Sequence, residues 1–134
     1  MEENIKLPSV AVVDASFMLA FLLPDEKAPY TDTIIDACID GRIKLLSSPI
    51  LPYEIINAIR SSVVQKRITR QIGEVLIHDF LQLIITLIPI VFSELFPLTL
   101  KNNLTVYDAS YLWISKTKRI PLLTLDKTLS RLSS

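Results

Sequence analysis

The sequence predicts an α/β protein, a three-layer α/β/α sandwich built on a short parallel sheet. Short apolar, β-branched runs alternate along the chain with longer segments whose apolar residues recur at helical spacing. Most of those runs are apolar throughout, the form of strands covered on both faces. Half of the 134 residues are hydrophobic and only two are glycine, so one domain spanning residues 1–134 has short loops and a substantial core.

The first run, residues 9–13, ends in Asp14 and reads as a central buried strand. Residues 16–23 then form a helix stopped by Pro24, and residues 25–29 a polar loop. From Tyr30, the apolar residues Ile34, Ile35, Cys38 and Ile39 follow a helical period that ends at Gly41. Residues 44–47 are the second strand. Pro49 and Pro52 bracket a turn, and Pro52 suits the first turn of a helix that carries Tyr53, Glu54, Ile56, Asn57 and Ile59 to about residue 66.

Thr69 N-caps the next helix, residues 70–86, with Ile72, Val75, Leu76, Phe80, Leu83 and Ile84 as its inner face. Gly73 within it costs about 1 kcal/mol relative to alanine. Residues 88–92 read as a third strand and residues 96–103 as a short helix closed by Asn102-Asn103. Thr105 N-caps a helix whose basic last turn (Lys116, Lys118, Arg119) suits the helix dipole. Pro121 stops it, residues 122–125 form a fourth strand closed by Asp126, and residues 127–132 make a last turn or two. Two successive helices between the second and third strands lengthen that crossover.

Composition excludes several classes. No apolar stretch is long enough to span a bilayer, the longest being residues 15–24 and 83–92. The start, residues 1–6, is mostly acidic and no targeting segment is visible. A single cysteine, Cys38, precludes an internal disulfide and fits a reducing cytoplasm, and a single histidine, His78, precludes a histidine-rich zinc site. The net charge is zero, yet residues 1–40 hold eight acids against two bases and the remainder six against twelve. Arg60, Lys66, Arg67 and Arg70 follow one another with no intervening acid. On charge alone that run reads as a solvated helix face; it also offers a local phosphate-binding surface.

Four acids fall at special places: Asp14 and Asp126 at strand ends, Glu54 and Asp108 at helix starts. Each has a structural explanation on its own, Asp14 and Asp126 as N-caps, Glu54 as a partner of the helix dipole, and Asp108 as the second half of a capping box with Thr105. Together they belong to one edge of a parallel α/β fold, the edge where such folds bind ligands. Four carboxylates there repel one another unless protonated or bridged by a cation. Oxygen-only ligands suit Mg²⁺ or Mn²⁺, which keep several waters and bind phosphate oxygens. Phosphodiester hydrolysis by a metal-activated water is the chemistry that follows.

Four segments carry a family resemblance: Val12-Val13-Asp14-Ala15-Ser16, Pro52-Tyr53-Glu54-Ile55-Ile56-Asn57, Leu104-Thr105-Val106-Tyr107-Asp108-Ala109-Ser110-Tyr111 and Leu122-Leu123-Thr124-Leu125-Asp126. In order and spacing they resemble the motifs of PIN-domain ribonucleases, most closely the VapC-type toxins of toxin–antitoxin pairs, over residues 10–132. The resemblance implies a Rossmann-like sandwich and an RNA-cutting, Mg²⁺- or Mn²⁺-binding quartet of Asp14, Glu54, Asp108 and Asp126. Ser16, Asn57 and Thr105 match supporting polar positions, and Thr124 is a weaker match of the same kind. It implies RNA backbone contacts for Arg60, Lys66, Arg67 and Arg70, a homodimer, and a small antitoxin partner. The apolar helices at residues 17–23 and 72–87 are candidates for those protein contacts. Pro97 departs from the family pattern, and Cys38 and Trp113 match no family role.

Trp113, Leu112 and Ile114 read as core or interface, Tyr107 and Tyr111 as packing residues able to stack on bases, and His78 as a surface residue. Two other functions compete. A catalytically silent module of the same fold would lack part of the quartet, and all four acids are present. A phosphoacceptor receiver domain would show an adjacent acidic pair after its first strand, where this chain has Val12-Val13 before Asp14.

Overall fold

The computed structural model describes residues 6–134, so the acidic start at residues 1–5 lies outside the described residues. Four strands, β1 (Val10–Val13), β2 (Lys44–Ser47), β3 (Ile85–Leu87) and β4 (Leu122–Leu123), form one parallel sheet in the order β3-β2-β1-β4. Seven α-helices surround it among the described residues: α1 (Ala15–Leu22), α2 (Thr31–Ile39), α3 (Leu51–Val64), α4 (Arg70–Gln82), α5 (Leu95–Asn102), α6 (Val106–Lys118) and α7 (Lys127–Ser133). The architecture is the expected three-layer α/β/α sandwich. No helix among the described residues is long and apolar enough to cross a membrane.

The central strand is β1, and its composition explains its place. Ala11, Val12 and Val13 are fully buried, with Ala11 opposite Leu45 on one side and Val13 opposite Leu123 on the other. The chain runs outward from β1 to β2 to β3, then returns past β1 to lay down β4. The order therefore reverses between β1 and β4, and the crevice beyond their C-terminal ends is where open α/β sheets bind ligands.

The core joins this sheet to α1, α2, α3 and α6 through Phe17, Met18, Ile35, Leu51, Ile55, Ile59 and Tyr111. Burial of a side chain such as Ile55 stabilises by roughly 1.5–3 kcal/mol. Residues 17–23 supply Phe17, Met18, Ala20, Leu22 and Leu23 to that core, so α1 has little apolar surface left for a partner. Gly73 marks the close approach of α4 to α3: a β-carbon there would stand 3.1 Å from Val63 Cγ2 and 3.3 Å from Ile59 Cγ2. Its helix-propensity cost is offset by that packing.

The expected helix over residues 70–86 and strand over 88–92 need correction. Helix α4 ends at Gln82, where Leu83 turns extended (φ −71°, ψ 140°), and the strand is Ile85–Leu87. The β-branched Ile84, Ile85 and Thr86 favour the pleated backbone. The ladder closes with Ile88 N–H donating to the Ser47 carbonyl, and Pro89 has no N–H with which to extend it. Residues 92–94 form a 3₁₀ turn instead. The inner face of α4 also differs: Gly73, Leu76, Ile77 and Phe80 face the core, while Ile72, Val75 and Ile84 are exposed. Helix α6 ends at a left-handed Arg119 (φ 57°), two residues before Pro121.

Candidate functional site

Asp14 is placed by the turn that converts β1 into α1. Its carboxylate N-caps α1, accepting from Phe17 N–H at 3.0 Å through Oδ1. The Ser16 hydroxyl donates to the same oxygen at 2.7 Å, and the Thr124 hydroxyl donates to Oδ2 at 2.5 Å. Ser16 Oγ in turn accepts from Leu125 N–H at 2.9 Å, which ties the segment after β4 to the segment after β1. Both hydroxyl assignments from the sequence thus meet on one carboxylate, and Thr124 holds the shorter bond. Asp14 is 3% exposed, and burial pushes its carboxyl above the ordinary range against the pull of these three donors.

Asp126 does not close the fourth strand, which ends at Leu123. It N-caps α7, accepting from Leu129 N–H at 2.8 Å through Oδ1. The capping reading therefore holds for both strand-end acids. It does not exhaust them, because a carboxylate has about four acceptor positions.

Asp108 stands in the first turn of α6. Thr105 caps that helix, its Oγ1 accepting from Asp108 N–H at 3.1 Å. Only half of a capping box forms: among the described residues the Asp108 carboxylate accepts no hydrogen bond. Glu54, in the first turn of α3, accepts from the buried Tyr111 hydroxyl at 2.5 Å. The sequence signal for Tyr111 was its position three residues after Asp108, on the same helix face. Asn57 lies one turn beyond Glu54, exposed.

Asp14, Glu54 and Asp108 each sense the charge of neighbouring acids. Burial raises Asp108 first, followed by repulsion from Asp126 and Asp14. Burial also raises Glu54, the Tyr111 bond opposes it, and the charges of Asp108 and Asp14 add to it. Asp126 likewise pushes Asp14 upward. Asp14 and Asp108 thus each share like-charge repulsion with every other member. The arrangement follows from topology: Asp14 and Asp126 flank the reversal between β1 and β4, while α3 and α6 aim their N-terminal turns at the same edge.

Among the described residues no group of three or more His, Cys, Asp or Glu side chains is arranged to hold a metal ion as it stands. The donor set nonetheless fits a hard cation that keeps much of its water and takes few direct carboxylates. Among the described residues neither oxygen of Asp108 has a donor, and Glu54 and Asp126 each have one oxygen without a donor. A cation there would offset the burial, and the smaller like-charge repulsion, that raise Asp14, Glu54 and Asp108.

The basic run separates into different surroundings. Arg67 donates to Asp25 at 2.7 Å and Glu26 at 3.0 Å, and Arg70 pairs with Glu74 at 3.4 Å. The acid-rich beginning of the chain thus neutralises part of its basic middle. Lys66 adopts a left-handed backbone at the end of α3 (φ 62°). Of the four, Arg60 shares an open groove of about 570 Å³ with Glu54, Asn57, Tyr53 and Tyr107, walled also by Ile50 and Ile56.

Among solved structures, the crystal structure of PAE2754 from Pyrobaculum aerophilum matches this chain with a TM-score of 0.73. The match covers 92% of this chain and 86% of that one at 23% sequence identity, a likeness of fold. No protein-family model and no curated protein matches the sequence.

Trp113 is half-buried and donates through Nε1 to Glu94 at 2.8 Å, which ties α6 to the turn before α5. His78 is exposed, as expected. Cys38 is half-buried, with Sγ 3.8 Å from the Ile84 carbonyl oxygen, and burial pushes its thiol up.

Proposed function

We propose that this protein is a Mg²⁺- or Mn²⁺-dependent endoribonuclease of the PIN type and the toxin half of a toxin–antitoxin pair. The observation that supports it is the gathering of Asp14, Glu54, Asp108 and Asp126 at the sheet edge where α/β folds bind ligands, with burial first and neighbouring like charges after it raising the first three. Asp14, Glu54, Asp108 and Asp126 would hold the ion between them. When bound, the ion lowers the pKa of a water and balances charge gathering on the phosphate. The chain's own part is to orient and to exclude wrong geometry. Ser16 and Thr124 fix the Asp14 carboxylate, Thr105 fixes the start of α6 and so the aim of Asp108, and Tyr111 holds Glu54. RNA is the substrate, a small antitoxin and a second copy of the chain are the protein partners, and the cytoplasm is the compartment.

A silent binding module of the same fold draws support from one observation, that Asp14 and Asp126 already serve as helix caps and no group of three such side chains among the described residues is arranged to hold a metal ion. Cleavage of RNA by the purified protein in Mn²⁺ or chelator separates the two. The nuclease reading expects cleavage that needs the metal and is lost in Asp108→Asn with the fold intact. Equal cleavage by wild type and Asp108→Asn in Mn²⁺ refutes the site, and no metal-dependent cleavage by wild type leaves the binding module as the answer.

A further inference from the structure

We infer that the groove beside Glu54 is a subsite for one unpaired nucleotide of RNA, stacked on Tyr53 and Tyr107 next to the bond being cut. This rests on the ribonuclease reading and adds to it where the strand lies. Helix α3 presents Tyr53, Asn57 and Arg60 at positions i, i+4 and i+7, one continuous face, and Tyr107 faces them from the first turn of α6. Glu54 belongs to both the acidic site and the groove wall, so a substrate held at the acids extends into the groove.

The lining chemistry selects the occupant. Tyr53 is 74% exposed and Tyr107 52% exposed, two aromatic faces left in water beside a functional site. Exposed aromatics of this kind stack unpaired bases, which duplexes do not offer. The same two rings also line a second, mostly apolar cavity of about 250 Å³ with Phe92, Leu95 and Val106, while Ile50 and Ile56 add apolar wall to the groove beside Glu54. Asn57 makes no side-chain hydrogen bond within the described residues, leaving its amide free to meet a base edge. Arg60 has no carboxylate within 4 Å among the described residues, unlike Arg42, Arg67 and Arg70, and is available to a phosphate. An apolar segment of a protein partner would match Ile50 and Ile56 but leave Asn57 and Arg60 without partners, whereas a nucleotide meets both the rings and the polar groups.

The test uses labelled single-stranded octaribonucleotides and the matching duplex, titrated in chelator against wild type, Tyr53→Ala, Tyr107→Ala, Arg60→Gln and the two Tyr→Phe variants. Melting curves report folding, and Leu replacements keep the bulk where an Ala variant melts early. Each Ala variant is expected to bind the single strand about tenfold more weakly, with Phe restoring it. Arg60→Gln is expected to lower the salt slope of binding by about one. The inference is overturned if wild type binds no single strand, prefers the duplex, or binds as well without either ring. It is also overturned if the Ala changes weaken binding of a protein partner and leave RNA binding unchanged. Cleavage of the same octamers in Mn²⁺ is scored separately: tight, tyrosine-dependent binding without cleavage sinks the ribonuclease reading and leaves the subsite standing.

Discussion

The Tyr111 hydroxyl on α6 donates to the Glu54 carboxylate on α3 at 2.5 Å, joining residues 57 positions apart in the chain. The phenol ring is 1% exposed, and burial together with the Glu54 charge pushes its pKa well up, so it remains a proton donor. The bond lowers the Glu54 pKa against the burial that raises it. Replacing Tyr111 with Phe keeps the buried ring and removes only the donor. Stability should fall by about 1 kcal/mol, measured by urea unfolding. On the ribonuclease reading the acid limb of the kcat–pH profile should move to higher pH, because Glu54 loses the group that favours its ionised form. An unmoved profile would mean that Tyr111 serves packing alone.

Asp108 presents the opposite case, a half-buried carboxylate with like charges beside it and no donor among the described residues. Its raised pKa means that the folded state holds the proton more tightly than the unfolded chain does. The stability it contributes is full below the ordinary carboxylate pKa of about 4 and is lost as pH rises through the folded value. Asp108→Asn should therefore melt higher than wild type at pH 7 in chelator, by roughly 2 °C once solvent screening is allowed for. The gap should narrow near pH 4 and reverse in Mn²⁺, which should stabilise the wild type more. A variant that melts lower than wild type in chelator would show that the Asp108 charge is compensated.

The parts of the fold visible in sequence are those set by local rules. Thr69, Thr105 and Gly41 mark their helix ends through side-chain capping or left-handed backbone, which nearby residues alone decide. The third strand was misplaced because Leu83-Ile84-Ile85-Thr86-Leu87-Ile88 is apolar without a clear period. Only pairing with Leu45, Leu46 and Ser47 selects three residues from it. The shared edge of Asp14, Glu54, Asp108 and Asp126 is legible because topology alone carries them there. Their neighbours are less so. Whether Thr124 or Leu125 faces Asp14, or whether Arg67 meets an acid from residues 25–26, depends on tertiary approach over 110 or 42 positions.

The two hydroxyls on Asp14 are not equivalent, and the difference can be measured. Thr124 is the sole protein donor to Oδ2 among the described residues, whereas Oδ1 receives both Ser16 and the Phe17 N–H. Thr124→Val preserves shape but leaves an oxygen of a buried carboxylate unsatisfied, at a cost of about 1.5–3 kcal/mol. Ser16→Ala leaves Oδ1 its backbone donor, and the Leu125 N–H that Ser16 accepted lies in an exposed segment where water can replace it. Its cost should be smaller, about 1 kcal/mol. The double variant should depart from the sum by at least about 0.5 kcal/mol, because both side chains act on one carboxylate and stand 3.3 Å from each other. Thr124→Ser, which restores the hydroxyl without the methyl group, should recover most of the Thr124→Val loss. Urea unfolding of the four variants measures all of this, and a Ser16→Ala loss equal to or above that of Thr124→Val would contradict the ordering.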